Sequence, residues 1–534
     1  MKIKAIMNEN NRNRFEIFID RHPITAVMMV SLILKLILSI FDIVVNPDGI
    51  HYIAAAQQIT AGNFDKALQI YPMPAYSLLI AIGHFVIPDW AAAARAVNIV
   101  ALVLASIPLY GITRLLFNQQ AAFWAIFCLS LTPEANDQAL SVLRDPVFLL
   151  TSLTALFYFL KGIYHINIKK ILVASIFTGI SFLFRIEGLV FLIVPVLYFL
   201  YKSIFARDDA FKKFVRRGLL LWIGVPLTVC VILSVVFGPR LLTQNRIAWL
   251  MGEASSITNF TAFNKYQEIY RFFQTIETNP PFSKFSKSLP SVIRHWMPLI
   301  YTIGLLEYFV KQVFPIFLVP LLWTVQNFIS NRPRNISEGK QFVLLVWVFY
   351  MIFILYSFIT RDYIQGRFLF EPAVLLYPWV GYGIILIFKW LMGIKFGQIL
   401  KIAILIILIV TPCVKIVKAT VNSDSGVIEV GRFISEDPQL TEAKILFSDT
   451  RQWFYGKRKE EFQKVSQNVL AISRMIKKGQ AKDIEAKAKN QGADAIVLFI
   501  NFNKTNVIPK FEHYYIYKRF QSRKGLTVIY KKMN

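Results

Sequence analysis

The chain reads as an α-helical polytopic membrane protein with a small C-terminal α/β domain outside the membrane, and three observations predict this. Of its 534 residues 55% are hydrophobic, with a mean hydropathy of +0.50, where a soluble domain holds roughly 45–50% apolar residues. The apolar residues gather in long runs, and Lys and Arg gather in the short stretches between them. From about residue 419 the pattern turns to one that water would dissolve.

A spanning helix needs about 20 largely apolar residues, with tolerance down to about 17. Spans are expected at 24–42, 91–116, 121–135, 147–162, 171–185, 188–202, 218–237, 312–330, 341–359, 368–389 and 397–416, eleven in all. The 46 Phe and 22 Tyr residues suit lipid-facing and interfacial positions. The basic stretch with Arg12, Arg14 and Arg21 precedes the first span, and no A-x-A-like cleavage site follows it. The first helix is therefore expected to be retained.

Charge orients the spans. The formal net charge of +27 would suit nucleic acid, but its clustering in short loops fits the positive-inside rule and attraction to anionic lipid. The bilayer, not nucleic acid, is the expected partner. With the N-terminus inside and eleven spans, Lys169, Lys170, residues 202–217, Arg332, Arg334 and Lys340 all fall on the cytoplasmic side. The loops 43–90, 136–146, 238–311 and 360–367, and the tail, then fall outside. This parity requires that 75–87 and 296–310 do not cross. The first is short and flanked by prolines, so it is expected to lie on the surface or re-enter. The division is thus a transmembrane domain over 1–418 and a soluble α/β domain over 419–534, outside a cell membrane.

In the tail, 444–448, 493–500 and 526–530 read as strands, and 459–489 as helices rich in Lys, Glu, Gln and Ala. The three cysteines, Cys128, Cys230 and Cys413, sit in apolar segments without paired or metal-ligand spacing. No Walker loop, Rossmann glycine fingerprint or HExxH is present. The sequons at Asn259 and Asn503 carry no weight in this reading.

Two acids stand on the outer rim. Asp48 directly follows the first span, in Asn46-Pro47-Asp48-Gly49-Ile50-His51-Tyr52, and Asp145 opens a later one, in Leu143-Arg144-Asp145-Pro146. Either suits a general base on an acceptor hydroxyl or a ligand to a divalent metal. Either also suits an N-cap, Asp48 for a helix from Gly49 and Asp145 before Pro146. A helix from 49 should end at Ala61-Gly62-Asn63. His51, one turn on, reads first as a polar interfacial residue. Arg144 is placed to pair with an acid or a phosphate, and Asp137 is a weaker acid of the same loop.

Arg185 and Glu187 interrupt an apolar stretch, where arginine costs about 2.5–3.5 kcal/mol at a helix centre. A salt bridge in a short outer turn and a role in a site explain them equally. In Arg361-Asp362-Tyr363-Ile364-Gln365-Gly366-Arg367, the arginine forks suit phosphate oxygens at a helix N-terminus, or anchor the helix at the interface.

Taken in order, these pieces resemble the glycosyltransferase C superfamily, nearest its polyprenyl-phosphate-sugar branch of protein O-mannosyltransferases and the lipid A aminoarabinose transferase. The matching segments are Pro47-Asp48-Gly49, the stretch 70–76 with Tyr71, Arg95, Arg144-Asp145-Pro146, Phe184-Arg185-Ile186-Glu187-Gly188, and 367–372. They cover about residues 20–390. The resemblance implies a GT-C-like fold and transfer of a sugar from a polyprenyl-phosphate carrier to a lipid, glycan or protein acceptor on the outer face, with inversion. It implies Asp48 as base or metal-organising acid and Asp145 as its second-loop counterpart. It also implies that Arg361, Arg367 and Arg185 bind donor phosphate, with His51, Tyr71, Arg144 and Glu187 supporting. A single acid follows the first span where the mannosyltransferases have an adjacent pair, which leaves the acceptor class open. A divalent metal, Mg or Mn, is likewise left open. The rivals are a transporter or flippase of lipid-linked sugars and a non-catalytic envelope assembly factor.

Overall fold

A computed structural model describes residues 22–41, 44–236, 259, 261–278, 288–331, 337–361, 363–421, 426–457, 462–501, 508–522 and 525–533. Arg12, Arg14, Arg21, Arg332, Arg334, Asp362, the sequon residue Asn503 and much of the loop 238–295 lie outside the described residues. The chain forms two compact units. The first comprises Met1–Lys35, Asn98–Ala139 and Arg144–Ile416, and the second Leu36–Val97, Leu140–Leu143 and Val417–Asn534.

Each of the eleven expected apolar segments is mainly helical over its described residues, with breaks at Thr132 in 121–135 and at Phe314 in 312–330. Among the described residues, five helices are long and apolar enough to cross a membrane: Trp90–Leu116, Asp145–Tyr164, Gly188–Phe205, Glu338–Arg361 and Gly397–Lys418. Two bent pairs raise this to seven if each pair is one span. Others are short, such as Pro23–Ser39 with 17 residues and Gln119–Leu131 with 13. The protein is accordingly a multi-pass membrane protein. The helix Ala75–His84 has only 10 residues, too few to cross, as its flanking prolines suggest.

The two bends depart from the expected straight spans. Ser288–Val313 is one helix of 26 residues running through the stretch 296–310, and Leu289–Val313 turns by 103° into Pro315–Asn331. The cause is local: Phe314 has φ +67°, and Pro315 disfavours a helical residue before it and offers no N–H. The expected span 368–389 is also broken. A 3₁₀ turn, Gly366–Leu369, leads into Phe370–Leu375, which bends by 57° into Tyr377–Leu391. Pro378 in the first turn of the second helix has no N–H with which to continue the bonding of the first.

Close packing holds the first unit. Phe159 stacks on Phe342 at 4.5 Å and meets Trp222 edge-on at 5.2 Å, while Trp222 Nε1 donates to Leu192 O at 3.1 Å. Gly383 lets Tyr377–Leu391 lie directly on Pro315–Asn331, since a Cβ there would stand 1.9 Å from Pro320 O. Small residues at such crossings are how membrane helices come close enough for dispersion to act.

The C-terminal part of the second unit is an α/β fold with four strands, β1 Ile445–Phe447, β2 Ala495–Asn501, β3 Tyr514–Ser522 and β4 Gly525–Lys532, in the order β1-β2-β4-β3. β1 and β2 are parallel, with Ile445 opposite Ala495. A parallel pair needs a long crossover, here the helices Thr450–Tyr455, Phe462–Lys477 and Ala481–Asn490. β4 runs antiparallel to both neighbours. Leu446, Ile472, Ile484, Ile496, Leu498, Val528 and Tyr530 form the core. The strands expected at 444–448, 493–500 and 526–530 are present; β3 and the helix Gly426–Glu436 are additions.

Glu485 ties the helix Ala481–Asn490 to the chain entering β3. It accepts the backbone N–H of Glu512 at 3.1 Å and of His513 at 2.7 Å, and pairs with His513 Nδ1 at 2.9 Å. Burial pushes its carboxyl up, but these donors outweigh that and hold it below the usual range. A depressed carboxylate stabilises the fold above its unfolded value, about 4.3, and loses that contribution as pH falls further. Glu485→Gln is expected to cost about 1–3 kcal/mol near neutral pH. Hydrogen exchange of residues 508–522 would check this, with the difference from wild type shrinking as pH is lowered through 4.

Candidate functional site

Three helix ends converge in the first unit. Asp145 stands in the first turn of Asp145–Tyr164, Arg185 caps the C-terminus of Ile168–Phe184, and Glu187 sits at the N-cap of Gly188–Phe205. Each charge has the sign its helix end favours: acids at N-termini, the base at a C-terminus. Arg185 Nη1 donates to Asp145 Oδ1, and its Nε and Nη2 reach Glu187 at 3.1 and 2.5 Å in a side-on fork. All three side chains are buried. The two helices 168–184 and 188–205 leave only this turn between them, so the charges share one place at modest cost.

Asp145 is not spent on capping. The N-cap position of its helix is Arg144, whose side chain makes no cap bond, and the Asp145 carboxylate faces Arg185 instead. Burial would raise the Glu187 carboxyl, but the Arg185 charge and hydrogen bond, with the Arg144 charge behind them, hold it down to about 2.

The cluster extends in two directions. The Phe148 and Phe368 rings lie 5.8 and 5.0 Å from the Arg185 guanidinium, and Arg367 lies 5.4 Å from Phe368. One ring thus serves two arginines, and Arg367 joins the group that Arg185 anchors. Arg361, at the exposed end of Glu338–Arg361, is not among these contacts. On the other side, Glu371 accepts from Ser152 Oγ and, at 3.3 Å, from Tyr350 OH, all buried. The reading of the sequence missed Glu371, Tyr350 and Ser152. The available signal was an acid inside the apolar stretch 368–377, since an intramembrane carboxylate invites a functional explanation.

The second unit holds Asp48, His51 and Tyr71. The helix starts at Pro47, not Gly49, and its cap is Asn46, whose Oδ1 accepts Asp48 N–H at 3.0 Å. The capping role foreseen for Asp48 therefore belongs to Asn46, and Asp48 lies half-buried in the first turn. The helix ends at Ala61 with Gly62 at φ +76°, as expected. His51 bonds Pro47 O at 3.0 Å and Ser466 Oγ at 3.4 Å and meets the Phe462 ring edge-on, contacts of a structural residue. Tyr71 and Tyr76 both pack edge-on against buried Tyr52, at 4.8 and 5.2 Å.

Residues 140–143 of the second outer loop belong to this same unit. Asn46 N–H donates to Ser141 O at 3.2 Å, and Arg95 Nε to Leu140 O at 3.1 Å. Gly49 packs so tightly here that a Cβ would stand 2.8 Å from Val142 O. Val142 itself has φ +56°, a left-handed conformation that β-branched residues avoid and that costs about 1–3 kcal/mol. Among the described residues, no group of three or more His, Cys, Asp and Glu is arranged to hold a metal ion.

The class these features define is a polytopic helical membrane protein of GT-C-like fold with a small C-terminal sheet domain. The family model for dolichyl-phosphate-mannose-protein mannosyltransferase matches residues 71–223. No curated protein matches the chain. Among solved structures, ArnT from Cupriavidus metallidurans bound to undecaprenyl phosphate matches with a TM-score of 0.50 at 13% identity, over 95% of this chain and 97% of that one. The apo oligosaccharyltransferase of Archaeoglobus fulgidus matches with a TM-score of 0.54 at 13% identity, over 89% and 69%. The oligosaccharyltransferase AglB from Archaeoglobus fulgidus, with an inhibitory peptide and a dolichol-phosphate, gives 0.49 at 14% identity, over 80% of this chain and 59% of that one. The chain thus spans about three fifths of that structure. The GT-C-like fold implied by the motifs is borne out by the matches to ArnT and to the apo oligosaccharyltransferase.

Removing Arg185 leaves two buried carboxylates facing one another. Arg185→Met is expected to cost about 3–5 kcal/mol, and Arg185→Lys less, while losing the side-on fork; thermal unfolding in detergent measures both. Glu187 contributes stability above about pH 4.3 and loses it as pH falls toward 2. The gap between wild type and Glu187→Gln should therefore narrow on acidification. Gly49→Ala, forced against a backbone oxygen, should cost about 1–3 kcal/mol by the same assay.

Proposed function

We propose that the protein is an integral membrane glycosyltransferase that moves a sugar from a polyprenyl-phosphate carrier to a lipid, glycan or protein acceptor on the outer face of the cell membrane, with inversion. The observation that carries this reading is the buried Asp145–Arg185–Glu187 cluster at three helix ends, within a stretch that matches a mannosyltransferase family model. The ArnT relative of similar length holds undecaprenyl phosphate, which supports a polyprenyl-phosphate donor here. The transmembrane domain over 1–418 would carry the chemistry and the domain over 419–534 would stand outside.

In this reading Asp48 takes the proton of the acceptor hydroxyl as that oxygen attacks the anomeric carbon. The bond from that carbon to the carrier phosphate breaks, and its electron pair leaves on the phosphate. Arg367, Arg361 and Arg185 stabilise that charge. Asp145 is the acid of the second loop, oriented by Arg185, with Arg144 and Glu187 setting the local charge. Tyr71 and His51 support the Asp48 turn.

The test is transfer in liposomes with a panel of radiolabelled polyprenyl-phosphate sugars and membrane extract as acceptor. Wild type should transfer label. Asp48→Asn should lose about 10²–10⁴-fold, the usual worth of a general base, and Asp145→Asn should also lose activity while remaining folded. Full transfer by both variants would overturn the residue roles. Movement of intact donor across the bilayer without transfer would favour a flippase.

A further inference from the structure

The helix Pro23–Ser39 buries an ammonium. Lys35 is 1% exposed; its Nζ donates to Ser31 Oγ at 2.9 Å and to Asn136 Oδ1 at 3.3 Å. Both partners are neutral, and no described Asp or Glu pairs with it. Lysine costs about 2.5–3.5 kcal/mol at the centre of a membrane helix and less toward an end, where Lys35 lies, and a buried charge without a counter-charge is destabilising. Stability alone would select an apolar residue at this position.

The bonds run on from Asn136. Its Nδ2 donates to Ser130 O at 3.1 Å and Thr132 O at 2.9 Å, carbonyls at the break where Gln119–Leu131 stops before Pro133, and its backbone N–H also reaches Thr132 O at 3.2 Å. Thr132 Oγ1 in turn meets Tyr377 OH at 2.7 Å, the first residue of Tyr377–Leu391. The short helix Pro133–Leu140 is polar in sequence, yet Asn136 and Gln138 on it are buried. From its end the chain reaches Arg144 and Asp145 within a few residues.

We propose that Lys35 is a positioning residue for the transfer reaction. Through Asn136 its ammonium sets the helix Pro133–Leu140 and hence the chain that delivers Arg144 and Asp145. The ammonium is retained at a cost in stability because a neutral side chain would let Asn136 turn away. This rests on the reading of Asp145 as a site residue.

The full-length protein with Lys35→Met, Asn136→Leu and both changes separates this from a structural role. Lys35→Met should melt no lower than wild type, because losing an unpaired charge offsets two lost hydrogen bonds. Its kcat should fall about ten- to hundred-fold, as misplacement near 1 Å does, with the donor KM within roughly two-fold. Hydrogen exchange should rise in residues 133–145 and not elsewhere. Asn136→Leu should reproduce this, and the double variant should add little, because both remove one interaction. Wild-type kcat and exchange in Lys35→Met would overturn the proposal. So would a lower melting point with exchange raised throughout, or fully additive effects. The exchange pattern needs no turnover, so absence of transfer by wild type would sink the proposed reaction while exchange still decides the role of Lys35.

Discussion

The guanidinium of Arg185 is the constraint on which the first unit depends. Two buried carboxylates from different helices meet it, and neither would be tolerated there without it. Its planar fork donates to Glu187 side-on and to Asp145 from the end, so two helix ends are referred to the end of a third. Lysine, with a compact charge, would hold one partner well and the other poorly. The position of Asp145 is in this sense a property of three helices together. The Phe368 ring extends the same control to Arg367, which comes from a segment far along the chain.

The second unit solves a related problem with backbone. Asp48 follows a turn whose cap is another residue's side chain, leaving its carboxylate clear of that duty. The turn is tied to residues 140–143 by the bond from Asn46 to Ser141 and by the contact of Gly49 with Val142. Val142 stands beside that contact in a conformation it would not choose. Strain of this kind persists only where the surroundings over-determine the backbone. The chain passes from one unit to the other between Leu143 and Arg144, directly after the strained residue.

Much of this was legible in the residues. All eleven apolar segments are mainly helical because hydrophobic length dictates it where backbone groups must pair internally. The charges at Arg185, Glu187 and Asp145 stood out against apolar surroundings, and the structure joins them. What was not legible has specific causes. Lys35 and Glu371 are single charges inside long apolar windows, and averaging over a window hides them. The bends at Phe314 and Leu376 stand beside Pro315 and Pro378, but a hydropathy count is blind to chain direction. The cap at Asn46 was missed because Asp, one of the strongest cap formers, stood two residues on. β3 was missed because it is an edge strand with a bulge between Ile516 and Lys518, which breaks the alternation that marks a strand.

The turn at Arg185 also sets how the chain tolerates changes of length. An α-helix turns about 100° per residue. One residue inserted anywhere in Ile168–Phe184 would swing the guanidinium around its axis and away from Asp145, however apolar the newcomer. The same insertion in the exposed chain beyond Phe205, before Asp209, changes no such register. Among natural variants of this protein, the stretch 168–184 should therefore keep its length more strictly than its composition. Its apolar residues can be exchanged for one another, but they cannot be added to or taken away.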